Sequence, residues 1–344
     1  MSVKRIGVLT GGGDCPGLNP TIRAIVRKAI YENISVLGIR NGWRGLIENN
    51  SIELDLRSVS GILPKGGTIL GTSRTNPYKN KPDLEKVMKN IKTLRLDALV
   101  VIGGEDTLGV ANKLSNDGVK IVGVPKTIDN DLSCTDFTFG FDTAVNIATE
   151  AIDRLHTTAE SHHRIMVVEI MGRHAGWIAT YAGIAGGADA ILIPEVPVKM
   201  SEVCAKIKKR HARGKDFSIV VVAEGAKLED EELVLKTQQK DAFGHVLLGG
   251  IGHTIGKELE RQTGFETRVT VLGHIQRGGT PSAFDRVLAT RFGVKAVELV
   301  KNGDFGKMVA LKGNEIIGVP LKDAVGKLKT VDMNLYEIAK IFFG

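Results

Sequence analysis

The sequence predicts an α/β protein of two lobes, each with a mainly parallel sheet covered by helices. Short runs rich in Val and Ile alternate with longer segments of helical periodicity, as in βαβ units. The runs are apolar at nearly every position, which is typical of strands covered on both faces. They are also too numerous for one ordinary sheet of this type, and the chain of 344 residues is long enough for two hydrophobic cores.

The predicted strands, in chain order, are RIGVLT, ALVVIGG, VKIVGVP, RIMVVEIM, AILIPE, FSIVVVAEGA and RVTVLGHI. The helical segments between them include NPTIRAIVRKAIYEN, DLEKVMKNIKTLRL, TAVNIATEAIDRLHTTAE and SEVCAKIKKRHAR. The segment KMVALKGNEIIGVPL has the pattern of a hairpin, with its turn in LKGNEI. We place the lobe boundary near the long helix that begins around Asp142. We therefore expect one lobe from residues 1–139 plus about 280–325, and the other from about 140–279 plus 326–344.

Composition excludes several classes of protein. The net charge is +7, but aromatic residues are only 5% and no Lys/Arg tract is interleaved with them, which argues against nucleic-acid binding. No apolar run is long enough to span a membrane, and the first residues lack a signal-peptide cleavage pattern. Three cysteines lie far apart without a zinc spacing, so we expect a reducing, cytoplasmic location. The basic surplus is either an ordinary surface feature or serves anionic small molecules, and the motifs favour the second.

A glycine-rich segment, TGGGDCPGLN at residues 10–19, directly follows the first strand. Its glycines Gly11, Gly12 and Gly13 allow backbone N–H groups to approach an anion, and the next helix offers its positive N-terminus. The segment is not a Walker A loop, and its glycine spacing is one residue too wide for the dinucleotide fingerprint. A tight strand–helix turn without a ligand explains these glycines equally well.

The segment VPKTIDND, at residues 124–131, also follows a strand. Thr127, Asp129 and Asp131 leave the sheet together there. An Asp in such a position can accept the proton of an attacking hydroxyl. Capping of the next helix is the alternative, and the segment alone leaves both open.

Two further segments pair Arg with Gly at strand ends, MGRHAGW at residues 171–177 and LGHIQRGGTPSAFDR at residues 272–286. Arginine holds phosphate through paired hydrogen bonds and stays charged. A single arginine at a strand end is usually a surface residue. A group of them near strand ends indicates an anion site: Arg164, Arg173, Arg268 and Arg277.

Together these segments resemble the phosphofructokinase family. The resemblance covers nearly the whole chain and includes, in the order typical of the family, TGGGDCPGLN, GTSRTNP, GGEDT, PKTIDND, HHRIMVVEIMGRHAGW, VVAEGA and LGHIQRGGTPSAFDR. It implies the fold of that family, with two Rossmann-like lobes whose mainly parallel sheets are covered by helices. It also implies Mg²⁺-dependent phosphoryl transfer to the 1-hydroxyl of fructose 6-phosphate, in glycolysis or gluconeogenesis, with the donor on the first lobe and the sugar phosphate on the second.

The resemblance assigns roles to single residues. Asp129 matches the catalytic base, with Thr127 beside it, and Arg74 of GTSRTNP matches an arginine that steadies the transferring phosphoryl group. Glu105 matches the Mg²⁺-binding acid, where many members have Asp. Gly13 would approach the donor phosphates.

On the acceptor side, the resemblance implies that the sugar contacts Thr127, Ile128, Asp129, Met171, Gly172, Arg173, Glu224, His274, Ile275, Gln276 and Arg277. Arg164 and Arg268 match residues that reach the sugar phosphate from a neighbouring subunit. The protein is therefore expected to be a homo-oligomer, a dimer or more often a tetramer.

Asp106, directly after Glu105, indicates the phosphoryl donor. Nucleotide-using members have Gly there, which leaves room for the α-phosphate of ATP. At position 126, ATP users commonly have Gly, although some have Lys as this chain does. Two like charges about 4 Å apart at an effective dielectric of about 20 repel by about 4 kcal/mol. Half of that lowers ATP use about 30-fold. The pair Asp106 and Lys126 resembles the pyrophosphate-dependent branch, so we expect diphosphate as donor, with Lys126 neutralising its charge. Two alternatives are an ATP-dependent 6-phosphofructokinase and an Asp106 that merely caps a helix beginning near Thr107.

Overall fold

The structure is a computed structural model that describes residues 3–229 and 249–344. Within these ranges the strands are β1 Arg5–Thr10, β2 Ser35–Ile39, β3 Ser51–Leu54, β4 Ala98–Gly103, β5 Ile121–Pro125, β6 Ile165–Ile170, β7 Ala190–Leu192, β8 Ser218–Ala223, β9 Thr267–Val271, β10 Lys307–Lys312 and β11 Glu315–Pro320. The helices are α1 Leu18–Tyr31, α2 Trp43–Glu48, α3 Lys81–Thr93, α4 Glu105–Asn116, α5 Phe141–His162, α6 Trp177–Ala185, α7 Met200–Ala212, α8 Ile251–Thr263, α9 Ala283–Asn302, α10 Leu321–Ala324 and α11 Met333–Lys340. Short 3-10 helices span Pro77–Lys79 and Gly273–Arg277.

The larger sheet has the strand order β11-β10-β5-β4-β1-β2-β3. Its central strands β5, β4, β1 and β2 pair in parallel, while β3 and β11 add antiparallel edges. Every residue of β4 is buried, because helices cover both faces of the sheet. The carboxyl ends of β1, β4 and β5 therefore meet at one edge, where ligands bind in open parallel sheets.

The smaller sheet has the order β7-β8-β6-β9, and all its strand pairs are parallel. One hydrophobic cluster runs from the larger sheet into the smaller one and includes Val100, Val124, Phe139, Val168 and Val221. The two sheets are thus packed through a shared apolar region. The expected residue ranges of the two lobes stay a prediction, and residues 230–248 of the second lie outside the described residues.

The α/β fold and the hairpin of β10 and β11 confirm the expectations from the sequence. Strands β2 and β3 and helix α9 are not among the elements that the sequence predicts. Helix α4 begins at Glu105, directly after the two glycines and with Gly104 at its N-cap, and not near Thr107 as the capping alternative requires. Negative side chains in a first helical turn interact favourably with the helix dipole, which explains how two acids begin this helix. None of the helices in the described ranges is both long and apolar enough to cross a membrane.

Candidate functional site

A pocket lies at the carboxyl ends of β1, β4 and β5. It is lined by Gly12, Gly13, Arg74, Gly104, Glu105, Asp106, Thr107, Lys126, Thr127, Asp129, Asp131, Arg173 and Arg277. Segments far apart in the chain therefore place three arginines, one lysine and four carboxylates around one space. Such a mixture suits a phosphorylated ligand whose charge is shared between cationic side chains and a bound cation.

The glycine loop after β1 is held by backbone hydrogen bonds to two distant parts of the chain. Gly11 N donates to Ile102 O at 3.0 Å and Gly12 N donates to Ser73 O at 3.1 Å. The expectation that these two N–H groups face an anion is therefore wrong. Gly13 leaves space for the guanidinium of Arg277, which lies where a Cβ on residue 13 would be. The glycine lets Arg277 lie across the loop, where its Nη1 also donates to Asp14 O at 3.3 Å.

Lys126 is buried against the glycine loop. Its side chain is only 3% exposed, and its ammonium donates to the carbonyl oxygen of Gly13. Burial lowers the pKa of Lys126 from its ordinary value. The lysine thus fixes the glycine loop from below, a structural role that the sequence did not indicate, while it also lines the pocket.

Residues 127–138, which we call the carboxylate loop, carry the candidate base. Asp129 N donates to Thr127 Oγ1 at 3.0 Å, which folds the start of the loop into a tight turn. Asp129 is 4% exposed, and its buried Oδ1 accepts no hydrogen bond within the described structure. A buried carboxylate oxygen without a donor is costly unless a ligand supplies one, so Asp129 is suited to accept a proton from a bound hydroxyl.

Asp131 also lines the pocket, although the family resemblance assigns it no role. Burial raises the pKa of its carboxyl, and the nearby negative charges of Asp129 and Glu105 raise it further. The TIDND sequence places Asp131 at the same strand end as Asp129, which was the available signal. Asp131 therefore adds a buried carboxyl beside Asp129 and Glu105, and a bound cation would favour its ionised form.

The two acids that begin α4 differ in their contacts. Glu105 Oε1 accepts a hydrogen bond from Gly326 N at 3.3 Å. Asp106 Oδ2 lies 3.7 Å from Arg173 Nη1, close enough for an ion pair. Asp106 stands within the first turn of α4 and not at the N-cap, where no side-chain cap forms, so the capping alternative is wrong.

Arg173 is held in place by Glu224. Glu224 Oε1 accepts from Gly172 N at 3.3 Å and from Arg173 N at 3.0 Å. Arg173 has a φ of 51°, in the left-handed region that non-glycine residues rarely occupy. Burial raises the pKa of Glu224, and the charge of Asp129 adds to that rise. The strained backbone conformation and the buried carboxylate together aim Arg173 into the pocket.

The family model for phosphofructokinase matches residues 5–300. This chain belongs to the phosphofructokinase family. It is 59% identical over 342 residues to a pyrophosphate–fructose 6-phosphate 1-phosphotransferase from Streptomyces coelicolor, covering 99% of this chain and 100% of the relative. It is also 54% identical, over 95% of this chain and 96% of the relative, to ATP-dependent 6-phosphofructokinase 3 of the same organism.

A crystal structure of Pichia pastoris phosphofructokinase in the T-state has the same architecture. The TM-score is 0.82 with 37% identity over 99% of this chain, which spans 39% of that longer chain. The expected fold of the family is thereby confirmed. Relatives at 58–59% identity to this chain bear the diphosphate name, whereas the ATP-dependent relative from Streptomyces coelicolor is 54% identical, so the comparison favours the diphosphate-dependent branch.

Of the residues predicted from the family motifs, the pocket brings together Gly13, Arg74, Glu105, Asp106, Lys126, Thr127, Asp129, Arg173 and Arg277. Ile128 and Gln276 are fully buried and do not line the pocket. His274 and Ile275 are exposed in the 3-10 helix that ends at Arg277. Met171, Gly172 and Glu224 do not line the pocket, although Glu224 and Gly172 border Arg173.

Arg164 and Arg268 lie elsewhere. Arg164 directly precedes β6 and Arg268 is the second residue of β9, whereas the pocket is at the carboxyl ends of the strands. A strand as long as β6 spans about 20 Å. Both guanidinium groups pair with Glu266, Arg164 Nε at 2.9 Å from its Oε2. Within a single chain, the interpretation of the four arginines as one anion site is therefore wrong, because only Arg173 and Arg277 line the pocket.

Gly104 and Thr107 also line the pocket, although the motifs assigned them no role. Gly11 and Gly103 lie against the side chain of Thr107, where a Cβ on Gly11 would approach Thr107 Oγ1 to 2.7 Å. Among the described residues, no group of three or more His, Cys, Asp or Glu is arranged to hold a metal ion by itself. Magnesium sites commonly use one or two carboxylates and complete their shell with water and substrate phosphates.

Proposed function

We propose that this protein transfers a phosphoryl group from diphosphate to the 1-hydroxyl of fructose 6-phosphate, giving phosphate and fructose 1,6-bisphosphate. Diphosphate and fructose 1,6-bisphosphate are comparable as phosphoryl donors, so the reaction runs in both directions. Relatives of similar length bear the name of this reaction, and the motifs that the family resemblance assigns to it line one pocket. An ATP-dependent reaction is the second candidate, since other relatives bear that name.

Asp129 is proposed to take the proton from the 1-hydroxyl as the new phosphorus–oxygen bond forms. Its buried, unpartnered oxygen supports this role. Arg74, Arg173 and Arg277 would spread positive charge over the transferring group and the sugar, and positioning with charge stabilisation supplies most of the catalysis in phosphoryl transfer.

Glu105 is proposed to hold Mg²⁺ together with phosphate oxygens of the donor. The hard carboxylate oxygen fits this ion, and three further carboxylates, Asp106, Asp129 and Asp131, line the same pocket. When bound, the ion would neutralise charge on the donor phosphates. Glu105 itself is oriented by the N–H of Gly326.

The observation that carries the choice of donor is the place of Asp106. A groove continues beyond the pocket along α4, lined by Asn76, Gly109, Val110, Asn112, Lys113, Val325 and Gly326, and Glu105 and Asp106 line both spaces. A nucleotide would have to extend past these carboxylates into the groove, whereas diphosphate ends before it. Arg173 offsets part of the charge of Asp106, so we expect the repulsion to remain below the full value for two bare charges.

The test compares diphosphate and ATP as donors at saturating fructose 6-phosphate, in the wild type and in two variants. Asp106→Asn removes the charge and keeps the size, and Asp106→Gly removes both. We expect the wild type to favour diphosphate and Asp106→Gly to raise kcat/KM for ATP about 30-fold. Asp106→Asn separates charge from bulk, because it should recover most of that gain if repulsion dominates. Equal wild-type turnover with both donors would refute the donor assignment, and unaltered ATP use in both variants would remove Asp106 from it.

The protein is further proposed to act as a homo-oligomer in the cytoplasm. Arg164 and Arg268, both paired with Glu266, lie at the end of the smaller sheet away from the pocket of their own chain, which supports a role at the pocket of another copy.

A further inference from the structure

The segment formed by residues 325–331, which we call the strap, runs alongside the carboxylate loop. Leu328 forms an antiparallel bridge with Leu132, Lys329 N donates to Asp131 O at 2.9 Å, and Ser133 Oγ donates to Lys327 O at 2.8 Å. At one end of the strap, Gly326 N contacts Glu105. The strap therefore touches the loop of the candidate base along its length.

The strap also contacts the smaller sheet's side of the molecule. Trp177 Nε1, at the start of α6, donates to Lys329 O at 2.9 Å, and Val331 N donates to Glu195 Oε1 at 3.0 Å. Since Trp177 ends the MGRHAGW segment, the strap joins the loop that carries Asp129 to the segment that carries Arg173.

Lys329 is the centre of this junction. Its ammonium donates to Asp136 O at 2.7 Å and to Thr135 O at 2.9 Å, and it lies 5.0 Å from the centre of the Trp177 ring. Two backbone carbonyls and an aromatic face thus surround one cation. Charge-assisted hydrogen bonds of this kind are stronger than neutral ones, so the far end of the carboxylate loop depends on this ammonium.

A short chain of contacts leads from Lys329 to the base. The carbonyl of Asp136, which Lys329 holds, also accepts from Asn130 Nδ2 at 3.5 Å. Asn130 Oδ1 accepts from Thr138 N at 3.1 Å, and Asn130 has a φ of 52° between Asp129 and Asp131. A residue in this strained conformation persists only when its surroundings hold it, and its side chain holds the two ends of the loop together.

From these contacts we propose that Lys329 is a positioning residue for phosphoryl transfer, which fixes the carboxylate of Asp129 by clamping the carboxylate loop through Asp136 and Asn130. The expected effect on kcat rests on the proposed function, in which Asp129 is the catalytic base. Lys329 itself does not line the pocket and touches no reacting atom. Lys329 affects kcat because it positions the carboxylate of Asp129. Other residues bind the substrates, so its loss should leave substrate affinity unchanged.

The charged groups that face the Lys329 ammonium are Asp131, Asp136 and Lys312, and Lys312 Nζ itself lies 3.3 Å from Asp136 Oδ1. Burial lowers the pKa of Lys329 to about 8. Assays at about pH 7 therefore keep the clamp protonated in the wild type.

The experiment measures kcat and both KM values of the full-length protein with the better phosphoryl donor. Lys329→Met should lower kcat about tenfold with each KM within about twofold, because a charge-assisted bond is lost. Lys329→Arg, which keeps the charge and two donors, should recover most of kcat. Lys327→Met is the matched control, since this neighbour on the same strap is exposed, and it should behave as the wild type.

Hydrogen exchange of residues 127–138 supplies a readout that does not need activity. Lys329→Met should exchange faster there than the wild type and the Lys327→Met control, and Lys329→Gln serves the same purpose if the Met variant does not fold. Wild-type kcat in Lys329→Met, absence of rescue by Lys329→Arg, or unaltered exchange in the loop would each overturn the proposal. A wild type that turns over neither donor refutes the proposed function instead, and the exchange measurement still decides whether Lys329 clamps the loop.

Discussion

The donor side and the sugar side of the pocket are built in different ways. On the donor side, buried groups are tied to the backbone of the same chain: Lys126 to Gly13, Gly11 to Ile102 and Gly12 to Ser73. On the sugar side, His274 and Ile275 are exposed, and Arg164 and Arg268 lie at the far end of their strands. The donor side is therefore preorganised within one chain, whereas the sugar side is completed by a neighbouring copy under our proposal.

Arg74 is the exception on the donor side, because it is exposed although it lines the pocket. We expect Arg74→Ala to have the largest effect, lowering kcat by about 10³-fold or more, since an arginine aimed at the transferring phosphoryl group supplies about that much. The KM for fructose 6-phosphate should stay nearly constant. Steady-state kinetics check this, with exposed Arg57→Ala as the control. A variant that changes only KM would show that Arg74 binds substrate and does not act on the transition state.

The buried carboxylate of Asp285 links helix α9 to helix α5, and a substitution there should weaken this link. Asp285 Oδ2 accepts from Thr143 N at 2.8 Å and from Thr143 Oγ1 at 2.5 Å, which joins α9, after the Arg277 segment, to α5, after the carboxylate loop. Burial raises the pKa of Asp285 from 3.8 to about 6. The folded form thus binds the proton more tightly than the unfolded chain, so this group's contribution to stability falls as pH rises from about 4 to about 6.

The shift of about two pKa units corresponds to about 3 kcal/mol of the free energy of unfolding. In Asp285→Asn this pH-dependent loss should disappear, because the amide does not ionise. Denaturant unfolding at several pH values checks the difference between variant and wild type, with Asp153→Asn, exposed on α5, as control. Parallel pH curves for wild type and Asp285→Asn would contradict the assigned cause.

The smallest effect is expected on the sugar side, from Arg164→Ala. Loss of one charge-assisted bond to the sugar phosphate should raise KM for fructose 6-phosphate about tenfold and leave kcat unchanged. In mixed oligomers with Asp129→Asn, the Asp129→Asn subunit supplies Arg164 and the Arg164→Ala subunit supplies Asp129. Such pairs should restore sites of low KM if Arg164 acts across subunits. Exposed Arg154→Ala on α5 is the control. No recovery in mixed oligomers of verified assembly would place Arg164 outside the neighbour's pocket.

Much of the site could be predicted because parallel strands end together. The motifs after β1, β4 and β5 had to meet, and the structure brings Gly13, Glu105 and Asp129 to one pocket. The sequence did not indicate β2 and β3, since Gly38 interrupts the apolar run of β2 and β3 is a partly buried edge strand. It also did not show that Gly11 and Gly12 use their N–H groups internally, because the acceptors Ile102 and Ser73 are distant in the chain.

The sequence by itself determined the α/β class, the family and the kinds of side chain present, because apolar periodicity and motif order are local properties of the chain. Tertiary structure decided which groups remain available for chemistry. Only packing could reveal that Lys126 holds Gly13, that Asp106 faces Arg173, and that Lys329 reaches the carbonyls of the carboxylate loop. Hydrogen bonds and ion pairs depend on distance in space, and residues remote in sequence supply the partners.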